Sequence, residues 1–132
     1  MAFGEVSYLA ILIAAIVGFV FGAAYYGLLS KPWLKAARLS NPSMSPMLFA
    51  TSFAAELLMA WTMAGIIGHL GPDQATLWNG LVAGFFVWLG FMATTTVVNQ
   101  RYEGFGWDLT LIDAGHWLGV ALIMGAIIGW WG

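Results

Sequence analysis

Four apolar stretches, Val6–Leu29, Met47–His69, Leu77–Gln100 and Leu109–Trp131, make up most of the chain, and short polar connections divide them. At about 1.5 Å per residue each is long enough to cross a hydrocarbon core about 30 Å thick. A backbone amide in lipid has no water to bond, so a spanning segment must be a helix or a strand of a closed barrel. No alternation of polar and apolar residues marks these runs as barrel strands, and they predict helices. Of the 132 residues 61% are hydrophobic and 8% charged, more apolar surface than a water-soluble domain of this size buries. The expected fold is an all-α integral membrane protein, a single domain over residues 1–132 with four transmembrane helices in an up-down bundle.

The first stretch is too long for a secretory signal and is preceded by Glu5 instead of Lys or Arg, so it predicts a retained helix. The absence of cysteine removes disulfides, thiolate metal sites and thiol nucleophiles. Only four residues are basic. Lys31, Lys35 and Arg38 fall in the first connection and Arg101 in the third, which places both connections in the cytoplasm and both termini outside. Ser45 and Asp108 are the expected caps of the second and fourth helices, with Pro46 in the first turn of the second. Trp33, Trp78, Trp107, Trp130 and Trp131 lie near helix ends, where interfacial tryptophans report depth. A net charge of −2 argues for no charged partner, nucleic acid included.

Glycines recur four apart at Gly18 and Gly22, Gly80 and Gly84, Gly115 and Gly119, and Gly125 and Gly129. Such pairs form flat strips that let helix backbones approach closely. Packing within the chain is the favoured reading of these strips over a dedicated oligomer contact. On the fourth helix, with Asp113 at 0°, His116 falls near roughly 300°, Gly125 and Gly129 near 120° to 160°, and Gly115 and Gly119 near 200° to 240°. Neither the acid nor the glycine strip suits lipid, so this helix is expected to touch protein around most of its circumference. A four-helix chain offers it few neighbours, which points to a homo-oligomer or a subunit of a membrane complex.

Glu56, Asp113 and His116 are the ionisable groups inside the spans. An ionised acid at mid-membrane costs at least about 2.5 kcal/mol, so such residues are functional candidates by default. Glu56 falls near the midplane, sharing a face with Ser52, Met59 and Met63. Asp113 falls about one turn from the cytoplasmic side, level with Thr95, Thr96, Asn99 and Arg101 across a short hairpin. One reading has Asp113 paired with Arg101 or accepting hydrogen bonds from Asn99 and the threonines, pinning the hairpin. The other has Asp113 and His116 forming a proton relay that leads toward Glu56. A metal held by Asp113, His116 and Glu56 is disfavoured, because the second histidine, His69, lies at the opposite face. Serines lack a nearby base and the loops are too short for a catalytic domain, so neither an enzyme nor a cofactor is expected.

The block "FMATTTVVNQRYEGFGWDLTLIDAGHWLGVALIMGAIIGWW", with "FGAAYYGLLSKPWLKA" before it, resembles the domain of unknown function 1761 family of small multi-spanning membrane proteins. The motif residues are Thr94, Thr95, Thr96, Asn99, Glu103, Gly104, Trp107, Asp113 and Gly115, with Tyr26 and Trp33 in the first half. The resemblance implies a four-helix protein of the bacterial cytoplasmic membrane and no particular activity. Two functions remain in view: a small transporter or permeation protein that uses intramembrane acids for proton coupling, and a non-catalytic accessory or scaffold subunit of a larger membrane complex.

Overall fold

A computed structural model of the chain describes residues 6–42 and 44–132, so Glu5, the acid ahead of the first helix, lies outside them. The described residues form five helices: α1 (Tyr8–Leu28), α2 (Ser30–Ala37), α3 (Pro46–Gly68), α4 (Leu77–Tyr102) and α5 (Trp107–Trp131). All but α2 are long and apolar enough to cross a membrane. Their ends fall within two residues of the hydropathy boundaries.

Local signals account for these ends. The Ser45 side chain accepts from the Met47 amide at 3.2 Å with Pro46 beginning α3, and Ser7 and Thr76 cap α1 and α4 in the same way. Asp108 is a correction. Gly106 occupies the cap position of α5, and Asp108 lies inside the first turn, its Oδ1 accepting from the Leu109 amide at 2.9 Å. There a negative charge still complements the helix dipole. The first connection is also more ordered than a loop, since Ser30–Ala37 forms the short helix α2, ended by Arg38 in the left-handed region at φ 61°.

Consecutive long helices run antiparallel, and α5 lies at the centre against α1, α3 and α4. The buried core consists of Ile11, Ala14 and Ala15 of α1, Ala60, Met63, Ala64 and Ile67 of α3, and Val120, Ala121, Met124 and Ile128 of α5. Protein does surround α5, but the chain's own helices supply it, and the inference to an oligomer loses that premise.

The tightest seam joins α4 to α5 without side chains between them. A Cβ at Gly80 would strike the Gly125 carbonyl, one at Gly84 the Ala121 carbonyl, and one at Gly129 the Thr76 carbonyl. The remaining strips also serve contacts within the chain: Gly115 faces the Tyr25 hydroxyl and Gly119 the Phe21 ring, while Gly18 and Gly22 face Glu56 and His116.

α4 departs from regular geometry midway. Trp88–Ala93 is a π segment, one wide turn inside an otherwise α-helical span. Buried or half-buried positions recur every four residues, at Gly80, Gly84, Trp88, Met92, Thr96 and Gln100. An unbroken α-helix drifts by about 40° at each such step, or about 200° over five, and the extra residue of a wide turn takes back about 100° of it. The wide turn therefore helps to bring Gln100 inward.

Substituting Ala for Gly80 or Gly125 is expected to destabilise the bundle by about 1 to 3 kcal/mol, as overpacking does. Ala at Gly27 or Gly90, where a Cβ meets nothing within 4 Å, is expected to be close to neutral. Thermal unfolding of the four variants in detergent checks the contrast.

Candidate functional site

At the end of the bundle that carries the basic residues, a directed set of hydrogen bonds runs from the surface into the α1–α5 seam. Arg101 Nη2 donates to the carbonyls of Phe105 at 2.8 Å and Gly106 at 2.9 Å, and to Thr110 Oγ1 at 2.8 Å. Its guanidinium lies 3.9 Å from the centre of the Trp107 ring. Thr110 Oγ1 donates to Gln100 Oε1 at 2.6 Å, and Gln100 Nε2 donates to Asp113 Oδ2 at 2.8 Å. The other carboxylate oxygen, Oδ1, accepts from the Tyr26 hydroxyl at 2.7 Å. Gln100 and Thr110 are both buried.

Asp113 is thus held by Tyr26 and Gln100, and not by the partners that spacing suggested. Arg101 is occupied by the turn between α4 and α5. Thr95 Oγ1 donates to the carbonyls of Phe91 and Met92, and Thr96 Oγ1 donates to that of Met92. Asn99 faces outward and is exposed. The straight helix assumed from sequence has no wide turn, and the rotation introduced by Trp88–Ala93 is what exchanges one set of partners for another.

His116 lies one turn deeper, nine-tenths buried among aromatic rings. Ring centroids of Trp117, Tyr26, Tyr25 and Phe21 lie 4.4, 4.8, 5.7 and 6.1 Å from the imidazole, with Phe21 stacked on it. Gly22 gives the ring room, since a Cβ there would stand 2.8 Å from Nε2. Nδ1 is buried without a hydrogen-bond partner.

Glu56 reaches the same seam from α3 and is 4% exposed. Its Oε1 would be 3.1 Å from a Cβ at Gly18, which also faces Val120 and Met124, and this oxygen too is buried without a partner. Gly18 and Gly22 are one turn apart, so Glu56 and His116 approach α1 at levels separated by about 6 Å. Ser52, expected beside Glu56, is exposed, whereas Met63 is buried.

The structure therefore brings Asp113, His116 and Glu56 to one seam without a direct hydrogen bond among them. Tyr26 spans the first gap, with its hydroxyl on Asp113 and its ring against His116. Among the described residues no three His, Asp or Glu side chains gather as metal ligands would. Beyond Glu56 the seam closes into the small-residue core, and a cavity of about 400 Å³ opens at the far end between Val6, Ala10, Ile67, His69, Ile128 and Trp131.

The family model for a protein of unknown function, DUF1761, matches residues 9–129. The chain belongs to this family. No curated protein and no solved structure matches it. Of the residues that carried the resemblance, Tyr26, Trp33 and Asp113 meet in space, and Gly115 and Trp107 lie against Tyr25 and Arg101 beside them. Tyr26 bonds Asp113, Trp33 packs edge-on against Tyr26 at 5.3 Å, Gly115 faces Tyr25, and Trp107 carries Arg101.

Sequence reasoning missed Gln100, Thr110, Tyr25 and Phe21. A signal for the last two was present: Ile11, Ala14, Gly18, Phe21, Gly22 and Tyr25 recur at helical spacing, small toward one end and aromatic toward the other. No comparable signal marks Gln100, whose direction depends on the wide turn.

Tyr26→Phe and Asp113→Asn are each expected to lower unfolding free energy by about 1.5 to 3 kcal/mol, the range for hydrogen bonds to charged groups. Because the two residues share one bond, the double variant should lose less than the sum. Denaturation in detergent of the two single variants and the double variant measures the coupling.

Proposed function

We propose that this protein is a small membrane transporter or permeation protein that moves protons, alone or coupled to a small solute, with Glu56 as the group that takes up and releases the proton. The observation that carries this reading is the buried Glu56 oxygen without a hydrogen-bond partner, facing a seam it shares with His116 and Asp113. A carboxyl that served only packing would be matched with a donor, because a polar group buried without one destabilises the fold. Asp113, Tyr26, Gln100, Thr110 and Arg101 connect the seam to the basic end, and His116 stands between Asp113 and Glu56. On this reading the basic end faces the cytoplasm, by the distribution of Lys and Arg, and the protein resides in the bacterial cytoplasmic membrane.

The buried Ala14, Ala15, Ala60 and Met124 lie between Glu56 and the far cavity and separate the two ends. Transport then requires α1 and α5 to shift relative to one another, and a solute is taken up in the far cavity, whose walls are mostly apolar and near the lower end of the size range for small-molecule sites. A second reading, an accessory subunit of a larger complex, draws support from α4, which packs along one side only and leaves Phe86 and Phe91 exposed.

Purified protein in proteoliposomes under an imposed pH gradient provides the test. The wild type is expected to dissipate the gradient faster than protein-free vesicles, and Glu56→Gln, which keeps shape and polarity, to reduce that rate at least about tenfold, with His116→Gln reducing it less. Equal rates in wild type, Glu56→Gln and empty vesicles would overturn proton movement and leave the accessory reading in place.

A further inference from the structure

We propose that the wide turn of α4 is a register switch that hands Asp113 from Gln100 to Asn99 and releases Arg101 from the α4–α5 turn. The inference stands on the geometry of α4 and does not depend on proton movement.

Closing a π turn into regular α-helix, with the glycine seam at Gly80 and Gly84 fixed, turns everything beyond it by about 100° and advances it by about 1.5 Å. Each residue past Ala93 then takes the place of its successor. Asn99, now exposed, moves to where Gln100 stands, so one carboxamide replaces another beside Asp113. Gln100 moves to the place of Arg101, beside Thr110 and the turn carbonyls. Arg101 moves to the place of Tyr102, which is 91% exposed, and its guanidinium leaves the protein interior. The run "NQR" at 99 to 101 supplies a hydrogen-bonding side chain to each inner place in both registers.

Five features bear on the exchange. Thr94, Thr95 and Thr96 donate their hydroxyls to the carbonyls of Gly90, Phe91 and Met92 within the wide turn, and these added bonds help to hold the present register. Gly90, inside the turn, has open space where a side chain would be. Beyond the turn α4 is loosely covered, with Val98 53% exposed and Tyr102 91% exposed, so rotation buries or uncovers little. The α4–α5 turn contains Gly104 at φ 82° beside Gly106, a backbone free to take up the advance. Arg101 Nη1 is buried without a hydrogen-bond partner in the present register, which weakens its hold on the interior.

The chain has no cysteine, so introduced pairs report without interference. Three pairs in native membranes address the switch: Gln100→Cys with Thr110→Cys for the present register, Asn99→Cys with Thr110→Cys for the closed one, and Val98→Cys with Thr110→Cys as a background. The 100–110 pair is expected to cross-link most, and the 99–110 pair clearly above the 98–110 pair. Deleting Gly90 removes the extra residue of the wide turn and leaves Gln100 in its present place in a regular helix, so 100–110 should stay dominant and 99–110 should fall to background, in the numbering of the intact chain. Thr95→Val, which leaves the length unchanged, removes a hydroxyl from the wide turn and should raise the ratio of 99–110 to 100–110 roughly fivefold, the effect of one hydrogen bond. A 99–110 yield equal to background in the intact chain and unmoved by Thr95→Val would overturn the switch. A dominant 99–110 pair after deletion of Gly90 would overturn the register argument beneath it.

Discussion

The seam on which the rest of the bundle depends is the direct backbone contact between α4 and α5, where Gly80, Gly84, Gly125 and Gly129 remove every side chain that would hold the helices apart. In lipid two apolar helices gain little from hydrophobic burial, and close van der Waals contact is what joins them. The seam fixes α5 against α4 on one side. α1 and α3 then close over the opposite side, and a helix bearing an acid and an imidazole is shielded by the chain itself.

Polar groups are graded along the remaining seam. Near the basic end Arg101, Thr110, Gln100, Asp113 and Tyr26 are joined by hydrogen bonds that pin the α4–α5 hairpin to α1, with Arg101 Nη1 the one atom of the set buried without a partner. One turn deeper His116 is enclosed by aromatic faces, and deeper still the Glu56 oxygen faces a glycine, a valine and a methionine. The outer layer explains itself as structure, since each bond offsets the burial of its members. The inner two groups do not, and for that reason the functional reading rests on them and not on Asp113.

Glycine has two separate uses here. On α4 and the far half of α5 it admits another backbone. On α1, Gly18 and Gly22 admit the ends of Glu56 and His116, and Gly115 and Gly119 of α5 admit Tyr25 and Phe21 in return. The same four-residue spacing thus serves packing in one place and makes room for chemistry-bearing side chains in another. Spacing alone does not separate the two uses, because both require only a flat strip.

By itself the sequence determined the four spans, their class, the cap at Ser45 and Pro46, and the identity of the three intramembrane ionisable groups. These follow from length, composition and local backbone chemistry, which a chain carries with it wherever it packs. Tertiary structure alone decided that α5 is central, that Tyr26 and Gln100 hold Asp113 in place of Arg101 and the threonines, and that the first basic connection folds into a helix against the bundle end. For Gln100 the physical reason is the wide turn at Trp88–Ala93, since a single extra residue in a helix turns every following side chain by about 100°; for Tyr26 and α5 it is contact between segments far apart in the chain, which local chemistry does not specify.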